Sequence, residues 1–187
     1  LGVLLVVGIV VVAIFFMAGK SQSSHAASEG PPESGPSTGG PSTTGTSTGA
    51  SRDVPSSGSL RDIIPQQVGD YRLQTIQPMT GMGSGVVDAL SMVYFTPSGV
   101  RANHIVVVFS AAALAEAAMK ETTQVVLGKF PGEVKAFAVR NKDNEQVGSG
   151  NQILANPESI LWTHGKLMAT VTTAPGRTEA FYNGVNY

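Results

Sequence analysis

The chain contains no cysteine. This absence excludes disulfide bonds, thiolate metal sites, a cysteine nucleophile and a lipid attached to cysteine. Charge is also scarce, because Asp, Glu, Lys and Arg make up 13% of the 187 residues and the formal net charge is −1. Such a balance gives no overall attraction to nucleic acid. The basic residues are dispersed and not interleaved with aromatic side chains, so we expect no nucleic-acid partner.

Groups that could hold a metal or a cofactor are sparse as well. The three histidines are His25, His104 and His164; His25 lies in the predicted linker, and neither His104 nor His164 has a second histidine or a carboxylate at ligand spacing. The glycines at positions 81, 83 and 85 match neither the dinucleotide-binding fingerprint nor a phosphate-binding P-loop. We therefore expect no metal and no cofactor.

Signals for nucleophilic catalysis are incomplete. Gly83-Ser84-Gly85 and Gly148-Ser149-Gly150 each lack the five-residue Gly-x-Ser-x-Gly pattern, and both fall in predicted loops. Ser84, His104 and Asp88 can be arranged on paper as a triad, but no spacing in the sequence supports it. A hydrolase is thus the third choice among the functions considered, and no catalytic residue is assigned.

What the sequence does have is one long apolar run at its start. Residues 1–18 carry no charge, and the first charged residue is Lys20. As a helix, this run would be about 27 Å long, close to the roughly 30 Å hydrocarbon core of a bilayer. Residues 1–19 are therefore predicted to be a transmembrane anchor helix, with the lipid bilayer as the partner of residues 1–18.

Two alternatives remain for this apolar run. A cleaved signal peptide usually has a shorter apolar region and a small-x-small site directly after it, whereas the nearest small pairs here lie around Ser24 to Ala27, beyond Lys20. A pilin-like filament subunit would use such a helix in a fibre core, but Leu5 stands where type IV pilins carry a glutamate. The uncleaved single span is the preferred interpretation.

Residues 20–59 are predicted to be a disordered linker. Most of them are Ser, Thr, Gly or Pro, and Val54 is the only large apolar side chain between Gly30 and Gly58. Such a composition buries too little surface to offset the entropy lost on ordering. Ser/Thr/Pro-rich stalks often carry O-glycans outside the cell, so a glycosylated stalk and a bare spacer are both open.

Residues 60–187 are predicted to form an extracytoplasmic α+β domain. Ser59 is expected to cap a short helical turn from Leu60 to Ile64, followed by a first strand over 71–77. A β-hairpin is expected from strands 89–96 and 102–109, and Ser110 is expected to cap a long helix that ends near Gly128. Strands over 134–140, up to 153, 159–163 and 167–173 should follow, and a short helix from Thr178 should close the domain.

The predicted architecture is an antiparallel sheet packed against one long helix, with a short C-terminal helix. Strand 89–96 is partly apolar on both faces, so one long helix cannot cover it completely. Either the terminal helix crosses the second face, or part of that face stays exposed as a partner surface. The candidate residues for such a surface are Val93, Phe95 and Trp162.

These features favour a non-enzymatic function. The sequence predicts a single-pass membrane protein of the cell envelope whose extracytoplasmic domain binds a protein partner or serves as an accessory subunit of a membrane or envelope assembly. The filament subunit is the alternative from a different class.

Overall fold

The computed structural model describes residues 59–185. The predicted transmembrane segment, residues 1–19, and the linker up to residue 58 lie outside the described residues, so both stay predictions. Within residues 59–185, no helix is both long enough and apolar enough to cross a lipid bilayer.

The described residues form eight strands, two α-helices and a 3₁₀ turn. In chain order these are the 3₁₀ turn Leu60–Ile63, β1 Gln67–Val68, β2 Tyr71–Pro78, β3 Val86–Phe95, β4 Arg101–Phe109, α1 Ala112–Lys129, β5 Glu133–Arg140, β6 Gln146–Leu154, β7 Glu158–His164, β8 Leu167–Thr173 and α2 Thr178–Asn183. The prediction of an α+β domain with one long and one short C-terminal helix is confirmed.

All eight strands belong to one antiparallel sheet with the order β1-β2-β3-β4-β8-β7-β6-β5. The central strands β4 and β8 pair from Asn103 opposite Thr172 to Val108 opposite Leu167. Helix α1 connects β4 to β5, which lies at the far edge of the sheet. The IVVVF run of β4 is buried on both faces, as expected for a central strand covered on both sides.

The two helices cover opposite faces of the sheet and create two cores. The α1 face is packed by α1 against inward residues of β4, β6, β7 and β8, among them Ile105, Ile153, Leu161 and Met168. The α2 face is closed by α2 and the 3₁₀ turn, and its core includes Phe181. Of the two explanations for the second apolar face, the terminal helix therefore supplies the cover.

The start of the domain is fixed as the sequence predicts. Ser59 and Asp62 form a capping box, in which the Arg61 N–H donates to Ser59 Oγ (3.3 Å) and the Ser59 N–H donates to Asp62 Oδ2 (3.1 Å). The Tyr94 hydroxyl donates to the carbonyl of Pro65 at 2.9 Å and so ties the segment after the turn to β3.

Helix α1 departs from its prediction in three ways. It begins at Ala112 with Ala111 as an N-cap that makes no side-chain hydrogen bond, so the expected Ser110 cap is wrong. It continues through Gly128 to Lys129. Thr123, which helical spacing would place on the exposed face with Glu116 and Lys120, is buried, and its hydroxyl donates to the Met119 carbonyl and accepts from Asn151 Nδ2 on β6.

Candidate binding site

A continuous row of aromatic rings crosses the α2 face. Its members are Tyr71, Phe181, Tyr94, His104, Trp162, Tyr182 and Phe137. Phe181 of α2 meets Tyr71 and Tyr94 edge-on, with ring centroids 5.3 and 5.1 Å away. It also meets His104 in a T-shaped contact at 5.5 Å. Edge-to-face contacts of this kind add to the area that the rings bury, so one side chain anchors α2 to three strands.

His104 occupies the centre of this row. Its ring stacks on Trp162 with centroids 5.7 Å apart and planes 11° from parallel. Its Nδ1 lies 2.7 Å from the carbonyl oxygen of Thr170, which assigns the proton to Nδ1 because a carbonyl can only accept. Burial lowers the pKa of His104 to about 4, against the weaker opposing effect of the Thr170 hydrogen bond. His104 is therefore neutral at physiological pH.

At its other end the ring row opens into a cleft. Tyr182 packs edge-on against Trp162 at 5.0 Å and against Phe137 at 5.3 Å, so that α2 forms one wall. The cleft has a volume of about 550 Å³, within the range of small-ligand and peptide side-chain pockets. It is lined by Lys135, Ala136, Phe137, Ala138, Arg140, Asn141, Lys142, Asn144, Gln152, Ile160, Glu179, Tyr182 and Asn183.

The floor of the cleft follows from strand register. Phe137 on β5 pairs with Gly150 on β6, which pairs with Trp162 on β7. A Cβ at Gly150 would lie 2.2 Å from the Phe137 ring, so the ring rests directly on the β6 backbone. In the adjacent row, Lys135 pairs with Gln152 and Gln152 with Ile160. The missing side chain at Gly150 is what lets Phe137 lie down and become part of the floor.

The rim of the cleft is basic. Of the four charged side chains that line it, Lys135, Arg140 and Lys142 are basic and Glu179 is acidic. Residues 59–185 as a whole carry equal numbers of acidic and basic side chains, so this is a local excess. Arg140 also donates through its guanidinium to the Asn144 carbonyl at 2.7 Å, which holds it beside the β5–β6 turn. An aromatic floor under a basic rim suits an anionic group attached to an apolar one.

Glu158 stabilises the floor of the cleft through two hydrogen bonds. Its side chain is buried, and its carboxylate accepts from Gln152 Nε2 at 2.7 Å and from the Gly176 N–H at 2.6 Å. These two bonds connect the cleft floor to the loop that precedes α2. The sequence did not indicate that Glu158 would bond to Gln152 and Gly176, because these residues are 6 and 18 positions away along the chain.

The structure does not bring the predicted surface residues Val93, Phe95 and Trp162 together. Trp162 has no exposed area and lies in the α2-face core. Val93 is 9% exposed, and strand alternation places it and Phe95 on the α1 side of β3. Contact between Trp162 and a partner would require α2 to move. A surface built from these three residues stays a prediction, and Trp162 does not line the cleft.

Ser84, His104 and Asp88, which were considered as a catalytic triad, lie in different environments. His104 is fully buried among rings, Ser84 lies in an exposed loop, and the Asp88 carboxylate accepts from the Ala89 N–H at 2.8 Å. Gly148, Ser149 and Gly150 lie within β6, so their assignment to a loop is wrong. Across residues 59–185, no cluster of three or more His, Asp or Glu side chains is placed to hold a metal ion.

Comparison with known proteins adds no family to these observations. No protein-family model, curated protein or solved structure matches the chain. The chemistry of the site therefore rests on the geometry described above.

Replacing Gly150 tests the geometry of the cleft floor. A Gly150→Ala variant should displace the Phe137 ring, because the added methyl group cannot coexist with a ring atom at 2.2 Å. We expect destabilisation of about 1–3 kcal/mol, typical of overpacking, and a changed near-ultraviolet circular dichroism signal from Trp162. Gly99→Ala is the control, because its Cβ would meet no atom within 4 Å, although its φ of +83° carries its own cost. A Gly150→Ala protein with an unaltered aromatic spectrum would contradict this account of the floor.

Proposed function

We propose that the chain is a single-pass, membrane-anchored extracytoplasmic binding module, in which residues 1–18 lie in the bilayer and the domain binds a protein partner through the cleft between β5, β6 and α2. The single observation that carries the proposal is the basic rim above an aromatic floor, in a domain whose charges balance overall. Such a site favours a partner that presents acidic and apolar groups together.

Two physical arguments favour binding over catalysis. A general acid or base must reach a reacting group and have a pKa suited to proton transfer, whereas His104 is enclosed by rings and held neutral by burial. The polar groups that line the cleft are amides, lysines, one arginine, one glutamate and the hydroxyl of Tyr182. The lysines and the arginine can orient and hold an anion.

The anchored orientation supports the same function. A Ser/Thr/Gly/Pro-rich segment of about forty residues between membrane and domain would let the domain search a volume near the membrane surface. A tethered module of this kind raises the effective concentration of a partner in the same membrane or envelope, so that even a modest intrinsic affinity suffices.

Site-specific photo-cross-linking in intact cells tests the proposal. A photoreactive amino acid replaces Ala138 at the rim of the cleft or, as the matched control, Glu116 on the exposed side of α1. We expect a discrete adduct from position 138 that is lost when Lys135→Glu is added, and no adduct from position 116. Equal adducts from both positions, or none from 138, would contradict the proposal.

Membrane fractionation tests the anchor separately. The full chain should resist high-salt washing and be released by detergent as a dispersed species. Sedimentation as long fibres without detergent would instead favour the filament subunit and would overturn the anchored module.

A further inference from the structure

The outer edge of β5 is the second unusual feature beside the cleft. β5 is the last strand of the sheet, and no described residue pairs with its outer side. Six of its eight residues are exposed, and Val134 is one of two exposed large apolar side chains among the described residues, at 38%. A strand edge carries unpaired N–H and C=O groups and is a template for another strand.

The opposite edge of the sheet offers a partner strand much less free backbone. The two-residue strand β1 pairs with Tyr71 and Arg72 at the start of β2. The rest of β2 is interrupted by an irregularity between Leu73 and Thr75, and it ends at Pro78, which has no N–H to donate. β5, in contrast, is regular from Glu133 to Val139, and the small Ala136 and Ala138 leave its backbone accessible.

The edge and the cleft form one continuous surface. Lys135 and Phe137 lie two residues apart on β5 and both line the cleft. A strand added to the edge would run about 4.8 Å from β5, with every second side chain beside these two residues. An acidic side chain would then stand beside Lys135 and an apolar one beside Phe137. Arg140 and Lys142, which also line the cleft, lie nearer the β5–β6 turn.

We propose that β5 is a strand-addition site for an acidic, extended segment of a protein partner, which would join the sheet as a ninth strand and place an acidic and an apolar side chain, two residues apart, over the cleft. The inference rests on the proposed function and specifies how the partner is recognised. Main-chain hydrogen bonds supply affinity, and the alternate side chains supply specificity. The competing explanation is a solvated edge on which Lys135 and Arg140 serve only to prevent aggregation.

A synthetic peptide, Thr-Glu-Thr-Val-Thr-Glu-Thr, is the probe for this inference. Its symmetric side-chain pattern fits β5 in either direction, with valine beside Phe137. We expect saturable binding to the full chain in detergent micelles, measured by fluorescence anisotropy of the labelled peptide. Binding should protect from hydrogen exchange the β5 amides that point away from β6, and leave those of β3 unchanged. A peptide with lysine in place of both glutamates should bind at least about tenfold more weakly.

Backbone methylation separates strand addition from simple charge attraction. A further peptide is methylated on all of its backbone nitrogens, so that none of its N–H groups can pair with β5 whichever way the strand runs. It should bind at least about tenfold more weakly than the parent peptide. Lys135→Glu should weaken binding of the parent peptide about tenfold. Lys120→Glu, an equal charge change on the exposed side of α1, should leave it unaltered.

Three results would overturn strand addition. Undiminished binding of the methylated peptide would show that the cleft holds the peptide without pairing, and absence of binding by the parent peptide would show that the edge is merely solvated. Protection, before peptide is added, of the β5 amides that point away from β6 would show that another segment of this chain, or a second copy, already covers the edge. Each of these could occur while the cross-link from position 138 persists, so failure of this inference is distinguishable from failure of the proposed function.

Discussion

Replacing Phe181 with alanine should lower the free energy of unfolding by about 3–5 kcal/mol, the largest single effect expected for this domain. The Phe181 ring is fully buried and meets three rings on the sheet, those of Tyr71, Tyr94 and His104. Helix α2 has six residues, too few to persist without packing. Loss of this ring should therefore detach α2 and open the cleft wall that Tyr182 forms.

The measurement is denaturant unfolding of the full chain in detergent, monitored by fluorescence of Trp162, which is the only tryptophan in the sequence. Phe95→Ala is the control, because it removes the same atoms from a partly exposed position at the end of β3 and should cost about 1 kcal/mol. Phe181→Leu retains much of the buried volume and should fall between the two. Equal losses for Phe181→Ala and Phe95→Ala would show that α2 does not depend on this anchor.

Periodicity and turn chemistry were sufficient to predict most of the fold. The apolar run of β4, the turn residues after β3 and the Gly165 turn after β7 each act through neighbours in sequence, and each predicted element is found. The order of strands in the sheet was not predictable. It places β8 beside β4 and β5 at the edge, and it depends on pairings between residues that are far apart in the chain, from Asn103 opposite Thr172 to Val108 opposite Leu167.

The N-terminal end of α1 was mispredicted, and a tertiary contact lies at this position. Ser110 precedes a run of alanines and matches the usual cap pattern, yet its N–H donates to the Gly85 carbonyl in the loop before β3. That tertiary hydrogen bond ties Ser110 to the loop, one residue before the N-cap Ala111. The sequence could not indicate this contact, because Gly85 lies in a distant loop.

The candidate site was the least predictable part. Trp162 attracted notice as a large apolar side chain, but alternation alone could not say that α2 covers its face of the sheet. The cleft is assembled from β5, β6 and α2, so none of its lining follows from spacing within one element. Gly148 and Gly150 held a signal that their assignment to a loop concealed: two glycines within a strand indicate a close approach, and at Gly150 the approaching group is the Phe137 ring.

His104 should make the domain markedly less stable as the pH falls from about 6.5 to 4. In the native state burial holds its pKa at about 4, whereas in the unfolded chain the pKa returns to about 6.5. Above pH 6.5 His104 is neutral in both the folded and the unfolded state, so it no longer makes the stability depend on pH. Below it the unfolded chain binds the proton first, so stability declines until both states are protonated near pH 4. The difference between the two pKa values corresponds to a total loss of about 3 kcal/mol.

A His104→Gln variant isolates this contribution, because glutamine does not titrate and retains an N–H group that can donate to Thr170. The variant should be less stable than the natural chain at pH 7, since it loses the stack on Trp162. Its stability should then decline less steeply between pH 6.5 and 4, because the carboxylates common to both proteins contribute equally and cancel in the difference. The free energy of unfolding, measured at half-unit pH steps, should therefore converge for the two proteins at low pH. Parallel curves over this range would show that His104 takes up its proton in the folded state without cost, and would contradict its enclosure by the ring row.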